Sequence, residues 1–182
     1  MKEMPNSEQL NLWFMNSLEE YLIPYVISQV VSIILLIVAW KKTKWARVLF
    51  ALLFFWAAGT NMYIGITKPD TYQLYADLAI PAYSDFINGW FSRHNYIVIP
   101  LIAAGQLLIA AGMLVKGWWV NAACIGAIIF LLSIAPLMVG AAFPFSITVS
   151  IAAWLIFLND DKNYIWQKTT KTSIDYIKDL GV

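Results

Sequence analysis

From residue 117 to residue 159 the chain runs for 43 positions without a charged side chain. A helix rises about 1.5 Å per residue and needs about 20 apolar residues to cross a hydrocarbon core about 30 Å thick. Forty-three positions therefore read as two spans with a reversal between them. Glycine and proline permit that reversal near Gly140-Ala141-Ala142-Phe143-Pro144, with one helix ending near Val139 and the next starting near Phe145. Further charge-free stretches cover 21–40, 48–67 and 96–115. The pattern predicts an all-α membrane protein with five transmembrane helices: an external segment over 1–20, a bundle over 21–158 and a cytoplasmic tail over 159–182.

Composition points the same way. The chain is 60% hydrophobic and 13% charged, against about 25% charged residues in an average soluble domain. A net charge of +1 offers no broad basic surface for nucleic acid. The single cysteine, Cys124, can form neither an intramolecular disulfide nor a CxxC pair, and its apolar setting reads as packing. No secretory signal peptide is expected, because the first apolar run follows about 20 mostly polar residues and leads into lysines rather than a cleavage site.

Orientation follows from the lysines and arginines in alternate connections. One side would hold Lys41, Lys42, Lys44, Arg47, Lys116, Lys162, Lys168, Lys171 and Lys178; the other holds Lys2, Lys68 and Arg93. Nine against three places the larger set in the cytoplasm, with the amino terminus outside and the carboxyl terminus inside. An inner (plasma) membrane location is the expectation. Trp40, Trp45, Trp118, Trp119 and Trp166 fall near the same predicted ends, where amphipathic rings favour the water interface. The tail mixes four lysines with four aspartates, and a short amphipathic surface helix or a disordered tail fits it equally.

The long external connection, 68–95, reads as two short helices. Asp70 after Pro69 can cap the first, presenting Tyr72, Tyr75 and Leu78 or Ala79 and ending before Pro81; Ser84 can cap a second carrying Phe86, Ile87, Trp90 and Phe91. Such segments lie in the interface or dip back between the spans, with Asp77 and Asp85 toward water. As function, the segment reads as a packed cover first and as the entrance to a binding pocket second.

Polar residues in lipid carry the most information, since an unpaired polar group there costs several kcal/mol. They are Gln29, Ser32, Thr60, Asn61, Gln106, Asn121 and Ser133, and none is ionisable. The absence of charge within the spans argues against a proton pump, an ion-coupled carrier and a voltage sensor. One histidine, His94 beside Arg93 at the outer edge of the third span, does not make a bis-histidine haem site. Its first reading is structural or solvated, its second a ligand contact. No metal site is expected. Ala57-Ala58-Gly59, Ala103-Ala104-Gly105 and Ala110-Ala111-Gly112 read as bundle contacts.

The order Arg47, a long apolar run, Ala58-Gly59-Thr60-Asn61-Met62, Pro69, a loop, and then Ala104-Gly105-Gln106-Leu107-Leu108 and Gly112 resembles the DoxX-like membrane proteins. The resemblance covers about residues 47–158. It implies a four-helix bundle with 21–40 as an added amino-terminal helix, and a small subunit associated with quinone-linked oxidation. This chain departs from the family in having Asn61 and Met62 where a lysine is common, and Gln106 where glutamate is common. Both departures remove charge and weigh against proton handling.

The first functional expectation is thus an accessory or anchoring subunit whose bundle holds a quinone or other lipid, with Asn61, Gln106, Thr60, Tyr72, Tyr75 and His94 as ligand-binding residues. A small transporter or lipid-handling protein gated by 68–95 is the alternative, and a scaffold or assembly protein a third. The expected partners are the lipid bilayer and a membrane protein or a second copy of the chain. Catalysis by this chain alone is the least supported reading, since no titratable residue aligned with a cofactor site can be named.

Overall fold

The computed structural model describes residues 7–77, 79–137 and 143–167, with side chains from Leu22 onward. Among the described residues every regular element is helical and none is a strand. The helices are α1 (Ser7–Lys41), α2 (Thr43–Thr67), α3 (Pro81–Phe86), α4 (Ser92–Leu114), α5 (Trp118–Ile134) and α6 (Phe145–Asn159). A 3-10 segment, Pro69–Asp77, follows α2; a π-helical turn, Ile87–Phe91, joins α3 to α4; and a 3-10 turn, Ala135–Leu137, extends α5.

Four helical stretches are long and apolar enough to cross a membrane: Leu22–Lys41, Thr43–Thr67, Pro81–Leu114 and Trp118–Leu137. α6 is apolar but has 15 residues, about 22 Å of helix and short of a full hydrocarbon core. The expected end of the fourth span at Val139 and the reversal at Gly140 to Ala142 lie outside the described residues, whereas α6 does begin at Phe145.

Several boundaries differ from expectation for local reasons. α1 begins at Ser7, so helical backbone continues through much of the expected external segment. α2 begins at Thr43, five residues before the predicted span, because only Lys42 interrupts the helical path from α1. Helical backbone leading into the third span begins at Pro81, ahead of the charge-free stretch at Tyr96, because proline at the first helical position costs no hydrogen bond. Ile80 is the residue before the helix, and Ser84 lies within it rather than capping it. The first loop helix is 3-10, and Leu78 lies outside the described residues.

The π turn before α4 is stabilised from the sequence immediately after it. The Ser92 hydroxyl donates to the Asn88 and Gly89 carbonyls, Arg93 Nε donates to the Gly89 carbonyl, and His94 Nδ1 lies 2.8 Å from the Trp90 carbonyl. Three consecutive polar side chains thus satisfy the carbonyls that a wider turn leaves poorly paired.

Packing follows small residues. Buried positions on α5 are Val120, Ala123, Cys124, Ala127 and Leu131, one helical face, and α6 buries Val149, Ala152, Ala153 and Ile156 against it. The outward faces carry large apolar side chains such as Phe55, Leu101, Leu108, Ile125 and Ile129, as a surface bathed in lipid requires. Glycine is needed at two contacts. A Cβ on Gly65 would sit 2.6 Å from Ile99 Cγ2, and one on Gly112 would sit 2.8 Å from Ala123 Cβ and 3.1 Å from the Trp119 carbonyl. Gly59 and Gly105, expected to be bundle contacts, meet nothing within 4 Å.

These contacts make α2 and α4 antiparallel, since Arg47 meets Met113, Asn61 meets Gln106, and Gly65 meets Ile99. One end of the bundle therefore gathers Lys41, Lys42, Lys44, Arg47, Lys116 and Lys162, while Lys68 and Arg93 lie at the other.

Candidate functional site

The 3-10 segment after α2 folds back along the bundle. Asn61 lies six residues before the end of α2, about 9 Å down the helix, yet the Tyr72 hydroxyl donates to Asn61 Oδ1 at 2.7 Å. Asn61 Nδ2 in turn donates to Gln106 Oε1 at 2.8 Å. Three residues chosen from the sequence, on the 3-10 segment, α2 and α4, form one continuous hydrogen-bond chain.

Its environment is apolar. Gln106 is 2% exposed and Asn61 is partly buried. The Tyr72 ring meets Tyr75 edge-on at 6.0 Å and Phe91 at 6.4 Å, which fixes the phenol over the bundle. Burial, with a smaller contribution from neighbouring Tyr75, pushes the Tyr72 phenol up to about 12. The phenol is therefore protonated at neutral pH and acts as a donor.

The polarity of the chain decides what it can bind. With Tyr72 donating to Asn61 and Asn61 donating to Gln106, the Gln106 carbonyl oxygen is occupied and its Nε2 hydrogens have no partner among the described residues. At the far end the Tyr72 oxygen keeps an acceptor lone pair. The chain thus offers the N–H donors of Gln106 at one end and an acceptor at the other.

The remaining predicted residues stand apart. Thr60 precedes Asn61 on α2 but makes no side-chain hydrogen bond to the chain. Tyr75 meets the Tyr72 ring in a T-shaped contact. His94 stacks on Trp90 at 4.5 Å, binds the π turn, and lies twelve residues from Gln106, about 18 Å along α4. It does not join the amide chain.

The cover over this end is tied down at further points. The Tyr83 hydroxyl donates to the Ser133 carbonyl at 2.8 Å, and the Ile80 amide donates to the Pro136 carbonyl at 3.1 Å. Asp77 and Asp85 face outward as expected.

The opposite end holds a feature that sequence reading missed. The charge pattern places Arg47 among the loop charges, yet its side chain is fully buried, as is that of Asp160, and Arg47 Nη1 lies 2.8 Å from Asp160 Oδ1. Arg47 Nε donates to the Met113 carbonyl at 2.9 Å, Nη1 also donates to the Asn163 carbonyl at 2.8 Å, and Nη2 donates to the Val115 carbonyl. The interior therefore does contain an ionisable pair. The signal was present in the arginine's place one turn into an apolar helix, but its partner is 113 residues away. Because four donors are committed to backbone and carboxylate, this cluster is a clasp joining α2, the end of α4 and the segment after α6. Residues 168–182, where a surface helix was considered, lie outside the described residues.

Among the described residues no group of three or more His, Cys, Asp or Glu could hold a metal ion. No protein-family model, curated protein or solved structure matches the chain significantly. The reading of function therefore rests on the chain's own residues.

Proposed function

We propose that the protein is a five-span, DoxX-like accessory or anchoring subunit that holds the carbonyl end of a quinone or other lipid at the Tyr72–Asn61–Gln106 chain. The observation that carries the reading is the polarity of that chain. A nearly buried Gln106 with unused N–H donors is a poor neighbour for lipid tails, because an unsatisfied amide in an apolar medium is costly. A carbonyl oxygen satisfies it, and the adjacent Tyr72, Tyr75 and Phe91 rings give an aromatic wall for a flat or acyl body. When bound, a quinone supplies electron-carrying chemistry; the chain's own residues bind and orient one carbonyl.

The five-span arrangement is supported by α6 returning the chain to the end where Asp160 meets Arg47. The gathering of six lysines and arginines at that end supports a cytoplasmic placement for it, with the amino terminus outside, in an inner membrane. A membrane-protein partner or second copy is supported by the open small-residue surface at Gly59 and Gly105, which no described residue fills.

Mass-spectrometric quantification of quinone and lipid in protein purified in mild detergent tests this reading. Asn61→Leu combined with Gln106→Leu should strip the carbonyl ligand and lower stability by no more than about 1–3 kcal/mol, the cost of leaving the Tyr72 hydroxyl without its acceptor. Unchanged ligand content in the double variant would refute the reading.

A further inference from the structure

We infer that the groove between α1 and α2 is a binding site for one anionic phospholipid, with an acyl chain in the groove and the phosphate on Lys41 and Lys42. The groove is a shallow open one of about 320 Å³ lined by Val31, Ile34, Leu35, Leu49, Leu53 and Trp56, all apolar. It lies between α1 and α2, which are joined through Lys42 alone.

Depth identifies the occupant. Ile34 and Val31 lie seven and ten residues before Lys41, about 10 and 15 Å along α1. Leu49 lies seven residues after Lys42, about 10 Å along α2. Half of a hydrocarbon core is about 15 Å. The groove thus starts in the leaflet at the turn and reaches past the midplane at Trp56, fourteen residues and about 21 Å from Lys42, and a chain lying in it carries its headgroup to the turn.

Charge identifies the headgroup. Residues seven apart return to nearly the same helix face, so Lys41 stands below Ile34, and Trp45 stands below Leu49 and Leu53 on α2. Lys44 is committed to Asp161 at 3.0 Å and Arg47 to Asp160 at 2.8 Å. Lys41 and Lys42 are exposed and have no acidic partner among the described residues. Trp40 and Trp45, 74% and 64% exposed, frame them with rings suited to the headgroup level. Two unneutralised ammonium groups at the mouth of this apolar groove fit a phosphate diester bearing acyl chains, not a zwitterionic headgroup whose own cation repels them.

The test is competitive lipid retention by native mass spectrometry of the full chain, using phosphatidylglycerol and phosphatidylcholine with identical acyl chains. Two lysines near the surface predict roughly 10- to 30-fold preference for phosphatidylglycerol. Lys41→Gln with Lys42→Gln should bring the ratio near one, and Lys68→Gln at the other end should leave it unchanged. Leu53→Trp, which fills the groove, should weaken both lipids. Equal retention of the two lipids, a preference that survives Lys41→Gln with Lys42→Gln, or displacement by inorganic phosphate alone would overturn the proposal. So would a second copy crosslinked through Trp56. The Asn61 and Gln106 site proposed above plays no part in this test, so either proposal can fail alone.

Discussion

Replacing Arg47 by leucine keeps an apolar side chain in a fully buried place but removes the only described cation paired with Asp160. Asp160 Oδ1 would retain only the Lys162 amide, at 2.7 Å, and Oδ2 already has no partner among the described residues. Breaking one side of a buried ion pair costs about 3–5 kcal/mol. The carbonyls of Met113 and Val115 lose their donor as well, at about 1 kcal/mol each where water cannot replace it. Some of this overlaps, and the expected loss is about 4–6 kcal/mol. Removing the carboxylate together with the guanidinium should be far milder, because no unpaired buried charge remains. Arg47→Leu, Asp160→Leu and the double variant therefore form a cycle with an expected coupling of about 2–3 kcal/mol. Reversible unfolding by dodecyl sulfate in mixed micelles, followed by tryptophan fluorescence, measures it. Strict additivity, or a loss below about 1 kcal/mol for Arg47→Leu, would refute the clasp.

The glycines give a paired prediction: Gly112→Ala should destabilise by about 1–3 kcal/mol because its Cβ meets Ala123 and a backbone carbonyl, whereas Gly105→Ala should cost nothing in the same unfolding assay. Tyr72 has a folded pKa raised to about 12 from 10.0, so its stabilising contribution is full below pH 10 and lost as pH rises through 12. The stability difference between the parent and Tyr72→Phe should accordingly stay flat from pH 6 to 9, and a slope there would contradict a buried neutral phenol. In a Cys124→Ala background, Lys116→Cys and Asn159→Cys should react with an impermeant thiol reagent from one face of oriented vesicles, and Phe143→Cys from the other. Labelling of Asn159→Cys and Phe143→Cys from the same face would eliminate a fifth span.

Much of the architecture was legible because lipid imposes it. Charge-free runs near 20 residues marked the spans, and Phe145 as the start of α6 followed from the proline before it. The amide chain was legible for the same reason: a polar residue in an apolar run must find a partner, and Asn61 and Gln106 found each other. Two things were hidden. Helix boundaries moved outward wherever polar residues continue a helix beyond the apolar run, as at Thr43 and Pro81. The Arg47 clasp was hidden because its acceptors come from two distant segments, the end of α4 and the stretch after α6, and a charge near a span end looks the same whether it faces water or a buried aspartate. Gly65 was overlooked since no small-residue cluster surrounds it, although it makes the tightest glycine approach among the described residues.

The most direct test of the central claim is isotope-edited infrared spectroscopy of a short-chain quinone, labelled at its carbonyl carbons, bound to the protein. Donation from Gln106 Nε2 predicts one carbonyl band shifted to lower frequency in the parent and returned to its free position in Gln106→Leu. An identical carbonyl spectrum in both proteins would contradict the assignment of that amide chain as the ligand site.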